Sequence, residues 1–265
     1  MVMNDNKART AARIIWASWE SGKRLRQLPD GCRPRSMEEG YAVQAMLEEV
    51  SGCASFGWKI AATNVTGQKH IGVDGPIGGR LLATKVVKGD GLVPMTGNLM
   101  RVAEAEFAFV LGRDIPVRGQ EYTPDEVLAC VASLHPAIEL PDSRFQDFVT
   151  AGGAQLAADD ACAGLFMLGE PADTAWRSMD LAAHPVSLSI SGQQITSGRG
   201  ADVLGGPLVA LAWLANSHGL RRCGLAAGDI VTTGVCGKPA AIEAGDSVSA
   251  DFGSLGRVAL RRGTS

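Results

Sequence analysis

No Cys-x-x-Cys pair occurs among the six cysteines, Cys32, Cys53, Cys130, Cys162, Cys223 and Cys236. A zinc knuckle or a thioredoxin-type redox site is therefore not expected, because each needs closely spaced thiolates. Several of these cysteines lie in apolar runs and read as small core residues. Nor is there a window of roughly 18 uninterrupted apolar residues, the length that a membrane-spanning helix requires. The N-terminal Met1-Val-Met-Asn-Asp-Asn-Lys-Ala-Arg9 lacks the apolar core of a secretory signal. These absences predict a cytoplasmic, reduced protein without a membrane partner. Charge is nearly balanced, at −3, which gives no footprint for nucleic acid. The run Gly67 to Gly79 is glycine-rich but matches neither G-x-x-x-x-G-K-[ST] nor G-x-G-x-x-G, so it is not a phosphate cradle. No repeat and no low-complexity segment interrupts the chain.

What is present describes an ordinary globular chain of 265 residues, 46% hydrophobic and 20% charged, long enough for one large domain or one domain with a smaller appendage. The 33 glycines imply frequent turns and a β-rich fold. Residues 7–20 read as an amphipathic helix with Ala8, Ala12, Ile15 and Trp19 on one stripe. A second helix is predicted from the Ser36/Glu39 capping pair to Gly52, its stripe being Val43, Met46, Leu47 and Val50. Beyond about residue 82 the pattern becomes short apolar runs between glycine turns. Helices are expected there only at Thr123-Pro-Asp-Glu126 and from Pro207 to near Gly219.

One strand carries the chemistry. In Arg101-Val-Ala-Glu-Ala-Glu-Phe-Ala-Phe-Val-Leu111, alternation puts Glu104 and Glu106 on one face with Ala108 and Val110, while Ala105, Phe107, Phe109 and Leu111 take the other. Two carboxylates in so apolar a strand are costly to bury without a positive partner. With Glu139 of His135-Pro-Ala-Ile-Glu-Leu140 they would make an all-oxygen, one-sided site for a hard cation such as Mg²⁺ or Mn²⁺. The spacing equally fits a solvated edge strand whose glutamates face water. Lys59, inside the short buried strand Phe56-Gly-Trp-Lys-Ile-Ala-Ala62, either snorkels to water or lies beside an anion. His70 reads as a surface histidine.

Taken together, the segments Gly57-Trp-Lys-Ile-Ala-Ala-Thr63, Gln68-Lys-His-Ile-Gly-Val73, Glu104-Ala-Glu-Phe-Ala-Phe-Val110, Ala137-Ile-Glu-Leu-Pro-Asp-Ser-Arg144, Ala158-Asp-Asp-Ala-Cys-Ala-Gly-Leu-Phe166 and Ala227-Gly-Asp-Ile-Val-Thr-Thr-Gly234 resemble one family. It is the 2-keto-4-pentenoate hydratase/4-oxalocrotonate decarboxylase branch of the fumarylacetoacetate hydrolase superfamily. The segments run in family order across nearly the whole chain. The resemblance implies an α+β fold with a fumarylacetoacetase-like mixed-β core (a β-sandwich or roll) and an N-terminal helical segment. It divides the chain into residues 1–82, contributing the active-site lysine, and a catalytic core at 83–265. It also implies a Mg²⁺ or Mn²⁺ site at Glu104, Glu106 and Glu139, Lys59 as catalytic residue, Thr63, Ser143 and Arg144 as substrate contacts, and a homo-oligomer. Asp142 and Arg144 could equally form a structural ion pair.

The implied activity is a lyase of aromatic-compound degradation, hydrating a small-molecule 2-oxo or 2-hydroxy-dienoic acid. The substrate's C1 carboxylate and C2 oxygen would chelate the cation, which would stabilise charge on that oxygen. Lys59 would pair with the carboxylate or shuttle a proton, with a lowered pKa if the pocket is dry and positive. Two departures stand out. Ile77 occupies the place where many family hydratases carry an aspartate proposed for acid–base work, and Asp160 stands where relatives often carry asparagine. The alternatives are a 4-oxalocrotonate-type decarboxylase, C–C hydrolysis of an acylpyruvate, or a catalytically altered binding subunit.

Overall fold

The structure, a computed structural model, describes residues 3–88, 92–93, 97–217 and 224–263. It begins with α1 (Asp5–Ser21), whose N-terminus is capped by the Asn4 side chain accepting from the Lys7 N–H. Ala8, Ala11, Ala12 and Ile15 face inward along it at helical spacing. The second predicted helix is divided into α2 (Met37–Gln44) and α3 (Leu47–Ser51) by a turn at Ala45–Met46. The buried Gln44 amide just before the break donates to the carbonyls of Gly78 and Ala157. Its apolar stripe survives the break, since Val43 and Leu47 are both buried in one cluster with the α1 residues.

The chain continues through β1 (Ser55–Ala61), α4 (Val65–Ile71), β2 (Ile77–Leu82), β3 (Val86–Lys88), β4 (Leu92–Val93) and β5 (Val102–Leu111). Next come α5 (Pro124–Leu128), β6 (Val131–Leu140), α6 (Gly153–Ala158), β7 (Leu165–Leu168), β8 (Pro185–Ile190) and β9 (Gln193–Arg199). The last elements are α7 (Pro207–Asn216), β10 (Ile230–Val235), β11 (Ala240–Ala241), β12 (Ser247–Asp251) and β13 (Arg257–Arg262). The α5 capping box read from Thr123 and Glu126 forms as expected, with both reciprocal bonds present. Gly219, the predicted end of the last helix, and Cys223 lie outside the described residues.

Among the described residues the strands form two sheets. The larger is mixed, ordered β2-β1-β10-β5-β6-β7-β3 with β11 paired to β5, and the smaller runs β4-β13-β12-β8-β9. β1 and β2 precede residue 83, yet both belong to the larger sheet, where β1 pairs parallel to β10 and antiparallel to β2. The main core lies between the sheets. Ala105, Phe107, Phe109 and Leu111 of β5 join Val186 and Leu188 of β8, Val248 and Ala250 of β12 and Val258 of β13 in one buried cluster. Phe107 meets Phe252 edge-on, with ring centroids 5.0 Å apart. The face of β5 opposite this core is the one that carries the glutamates. The fold is of the α+β class, and no described helix is long and apolar enough to cross a membrane.

Candidate metal centre and its cavity

Strand register brings the three glutamates together. In the antiparallel β5–β6 pair, Glu104 lies directly opposite Glu139 and Glu106 opposite Ala137. Residues opposite each other in a sheet project to the same side, with Cβ atoms about 5 Å apart. One carboxylate oxygen from each of Glu104, Glu106 and Glu139 lies within 4.8 Å of the others. Glu106 and Glu139 are buried and Glu104 is half-buried. The alternative of a solvated edge strand is excluded, because β5 sits between β10 and β6 in the middle of the sheet.

Each carboxylate is held differently. The Thr232 hydroxyl and the Gly234 N–H (2.9 Å) donate to Oε2 of Glu106. Gly234 has φ 99°, and a Cβ there would stand 2.3 Å from Thr63 Oγ1, so the close approach of β10 to Thr63 requires glycine. Glu139 Oε1 lies 3.1 Å from Lys59 Nζ, while its buried Oε2 has no hydrogen-bond partner. Lys59 reaches this face because Trp58 and Ile60, its neighbours on β1, point into the main core. Its Nζ also donates to the Ala161 carbonyl at 2.8 Å. That carbonyl is aimed by an unusual turn in which Asp160, Ala161 and Cys162 have φ 57°, 52° and 58°. Non-glycine residues in this region each cost on the order of 1–3 kcal/mol and persist only where the surroundings hold them. Here Asp160 Oδ1 accepts the Arg80 N–H at 2.6 Å.

The site is electrostatically unbalanced. Burial, then the charge of Glu139, pushes the Glu104 carboxyl up to about 7. Burial followed by both neighbouring carboxylates holds Glu106 well above the usual range. Glu139 is raised too, by burial, against the pull of Lys59. For Lys59, burial alone would depress the ammonium, but the carboxylates, Glu139 foremost, outweigh it and raise it above its ordinary value. The sequence expectation of a depressed lysine presupposed a positive pocket, whereas this pocket is negative. One ammonium against three carboxylates, an orphaned Glu139 oxygen and an all-oxygen donor set fit a hard divalent cation.

Lys59 and Glu104 also line a cavity of about 710 Å³. Its walls come from β1 and α4, the start of β5, the segments around Phe148 and Leu156, the Ala161 turn and the end of β10. Thr63 lines it, and the buried Thr63 Oγ1 has no hydrogen-bond partner. His70 is an exposed rim residue, edge-on to Phe148 at 5.9 Å, as the sequence suggested.

Ser143 and Arg144, expected as substrate contacts, do not line this cavity. The Ser143 hydroxyl donates to Asp159 Oδ2 at 2.6 Å. The fully buried Arg144 guanidinium is taken up by Asp159 and by the Ala163 carbonyl, and lies over the Trp19 ring at 3.9 Å. Asp142 pairs with Arg24 at 2.7 Å rather than with Arg144. Ile77 is buried at the start of β2 with Leu156, Ala157 and Ala161, and lines the cavity with a hydrocarbon where an acid was the family expectation. Reading the sequence residue by residue missed Thr232 and Gly234 as holders of Glu106 and Asp159 as the anchor of Arg144. The only signal for them was membership of the segments carrying the resemblance.

Fold and site define a class: an α+β protein whose mixed sheet buries a carboxylate cluster able to hold a metal ion, at the end of a small-molecule cavity. Residues 83–261 match the fumarylacetoacetate (FAA) hydrolase C-terminal family. The chain belongs to the fumarylacetoacetate hydrolase family. It is 33% identical over 259 residues to 2-keto-4-pentenoate hydratase of Burkholderia vietnamiensis, across 96% of this chain and 97% of that one. It is 34% identical over 257 residues to 2-keto-4-pentenoate hydratase 1 of Dechloromonas aromatica, across 94% of each. Among solved structures, 4-oxalocrotonate decarboxylase from Pseudomonas putida G7, complexed with magnesium and adipate, superposes with a TM-score of 0.88. That match has 25% identity over 98% of this chain and 99% of the other. The resemblance read from the motifs and the α+β fold are both borne out.

Proposed function

We propose that this protein is a divalent-metal-dependent hydro-lyase of the 2-keto-4-pentenoate hydratase type, adding water to 2-hydroxy-2,4-dienoates. The observation that carries the reading is the buried Glu104/Glu106/Glu139 cluster with Lys59 beside it, opening on a cavity of small-molecule size. The relatives named as hydratases support the choice of reaction. Glu104, Glu106 and Glu139 would hold Mg²⁺ or Mn²⁺, which when bound supplies Lewis acidity to the substrate's carboxylate and C2 oxygen.

The chain's own residues do the rest. Lys59 Nζ has two directions occupied, by Glu139 and the Ala161 carbonyl, and its third N–H serves the cavity. An ammonium held charged there pairs with the substrate carboxylate and hands on a proton. Ketonisation moves the C2 hydroxyl proton off and places one on C5, giving a 3,4-unsaturated 2-oxo acid. Water then adds its oxygen to C4, and a proton goes to C3. Thr63 Oγ1, buried and unpartnered, is the hydroxyl placed to bind substrate or the attacking water. Ile77 cannot relay protons, so Lys59 and cavity water carry them. An assembly of identical chains in the cytoplasm, serving aromatic-compound breakdown, belongs to the same proposal.

The test is turnover of 2-hydroxypenta-2,4-dienoate by the Mg²⁺-loaded protein, read as loss of the diene absorbance and a product heavier by one water. Carbon dioxide from 4-oxalocrotonate, with no hydration of the dienoate, would replace the hydratase with the decarboxylase. Inactivity on both substrates with metal bound would leave a binding subunit.

A further inference from the structure

A substrate anchored by its 2-oxo acid end at Lys59 and the glutamates, as proposed above, leaves most of the cavity to its tail. 2-Hydroxypenta-2,4-dienoate has eight non-hydrogen atoms, which fill roughly 160 Å³ at the density of protein interiors. The cavity is about 710 Å³.

Its walls away from the metal end are mostly apolar. Ile71, Met100, Val102, Phe148 and Val235 line it and are each half-buried, so they present hydrocarbon to the space without a protein neighbour to cover it. They converge from α4, the turn before β5, the start of β5, the chain between β6 and α6, and the end of β10. Ile71, Met100 and Phe148 pack with the buried Ile77 and Leu156 in one cluster, so the wall is an outgrowth of core.

A second carboxylate has no prepared place. Among the described lining residues Lys59 is the one buried cation, and Glu139 already engages it. His70 and Lys238 are exposed on the rim, where a charge pair contributes little. Asp202 lines the same cavity with a carboxylate, which accepts the Gly237 N–H at 2.9 Å and opposes an incoming anion.

We infer that the substrate is a monoanionic 2-hydroxydienoate extended by an alkyl or aryl tail of at least three carbons beyond C5, and that Ile77 helps to set this preference. Each methylene buried against such a wall tightens binding roughly fourfold.

The experiment uses stable 2-oxo acids that lack the diene and cannot be turned over: 2-oxopentanoate, 2-oxooctanoate, 2-oxo-6-phenylhexanoate and 2-oxoadipate. Their affinities for the Mg²⁺-loaded protein are measured by calorimetry. The two long monoacids should bind at least tenfold more tightly than 2-oxopentanoate, and 2-oxoadipate no more tightly than it. Ile77→Asp should cut the long-chain advantage to threefold or less. Met100→Gln, at a half-buried position that tolerates polarity, should do the same if Ile77→Asp does not fold. Equal affinity across tail lengths, or tightest binding of 2-oxoadipate, overturns the tail inference while leaving the metal-anchored reading intact. Failure of all four acids to bind overturns that reading and the tail inference with it.

Discussion

Replacing Lys59 with methionine keeps most of the buried stem and removes the one ammonium from a cluster of three carboxylates. Lys59 is 2% exposed and its Nζ lies 3.1 Å from Glu139. Breaking a buried ion pair by removing one partner costs about 3–5 kcal/mol. At this chain length each kcal/mol lowers Tm by roughly 2–4 °C, so the metal-free variant should melt roughly 6–20 °C below the parent. Mg²⁺ should recover most of that loss, since it supplies the missing positive charge, and should bind at least as tightly as in the parent because a like charge has gone. Turnover, by contrast, should fall by about 10²–10⁴, the usual contribution of a positioned proton donor. Calorimetric melting in EDTA and in Mg²⁺, Mn²⁺ titration and the diene assay measure the three effects separately. A Lys59→Met protein with wild-type turnover would remove Lys59 from the mechanism. Loss of metal binding in parallel with activity would make it a builder of the metal site instead.

Three further outcomes follow from the same geometry. The Glu104 carboxyl is held at about 7 against an ordinary 4.5, so the folded state keeps a proton that the unfolded chain releases. The stability this contributes is full below pH 4.5 and is lost as pH rises through 7. Tm in EDTA should therefore fall between pH 5 and 8, with Glu106 and Glu139 acting in the same direction, and Mg²⁺ should flatten the profile; a rise in EDTA would contradict the assignment. Arg144→Met should cost about 3–5 kcal/mol by stranding the buried Asp159, and adding Asp159→Leu should recover part of it in urea unfolding. At Gly79, a Cβ would stand 2.3 Å from the Asp160 carbonyl oxygen and 3.1 Å from Lys59 Cγ. Gly79→Ala should cost about 1–3 kcal/mol and lower kcat at unchanged metal affinity, because the Ala161 turn that aims Lys59 must move.

Period-2 alternation was enough to place Glu104 and Glu106 on the face of β5 away from Phe107 and Phe109, because the strand is long and its two faces differ sharply. It could not show that Glu139 would stand opposite Glu104, since register between strands is set by the whole sheet. Lys59 shows the same limit: its strand was legible, but its partner depends on a parallel pairing with β10, more than 170 residues away in sequence. The Asp160–Cys162 turn had no local signal at all, for none of its residues is a glycine and its left-handed backbone is imposed by surrounding contacts. The partners of Arg144 are no more legible locally, since its pairing with Asp159 and its place over Trp19 are set by the tertiary fold. The break between α2 and α3 was equally hidden, as an unbroken apolar stripe runs through it.

If the carboxylate cluster is both the metal site and the centre of hydration, metal binding and turnover depend on the same side chains. Mn²⁺ binding and hydration of 2-hydroxypenta-2,4-dienoate should be measured on one preparation each of the wild type and Glu106→Gln, folding being checked by melting. The two properties should be lost together in the variant. Glu106→Gln protein that binds no metal yet hydrates the dienoate at the wild-type rate would contradict the account.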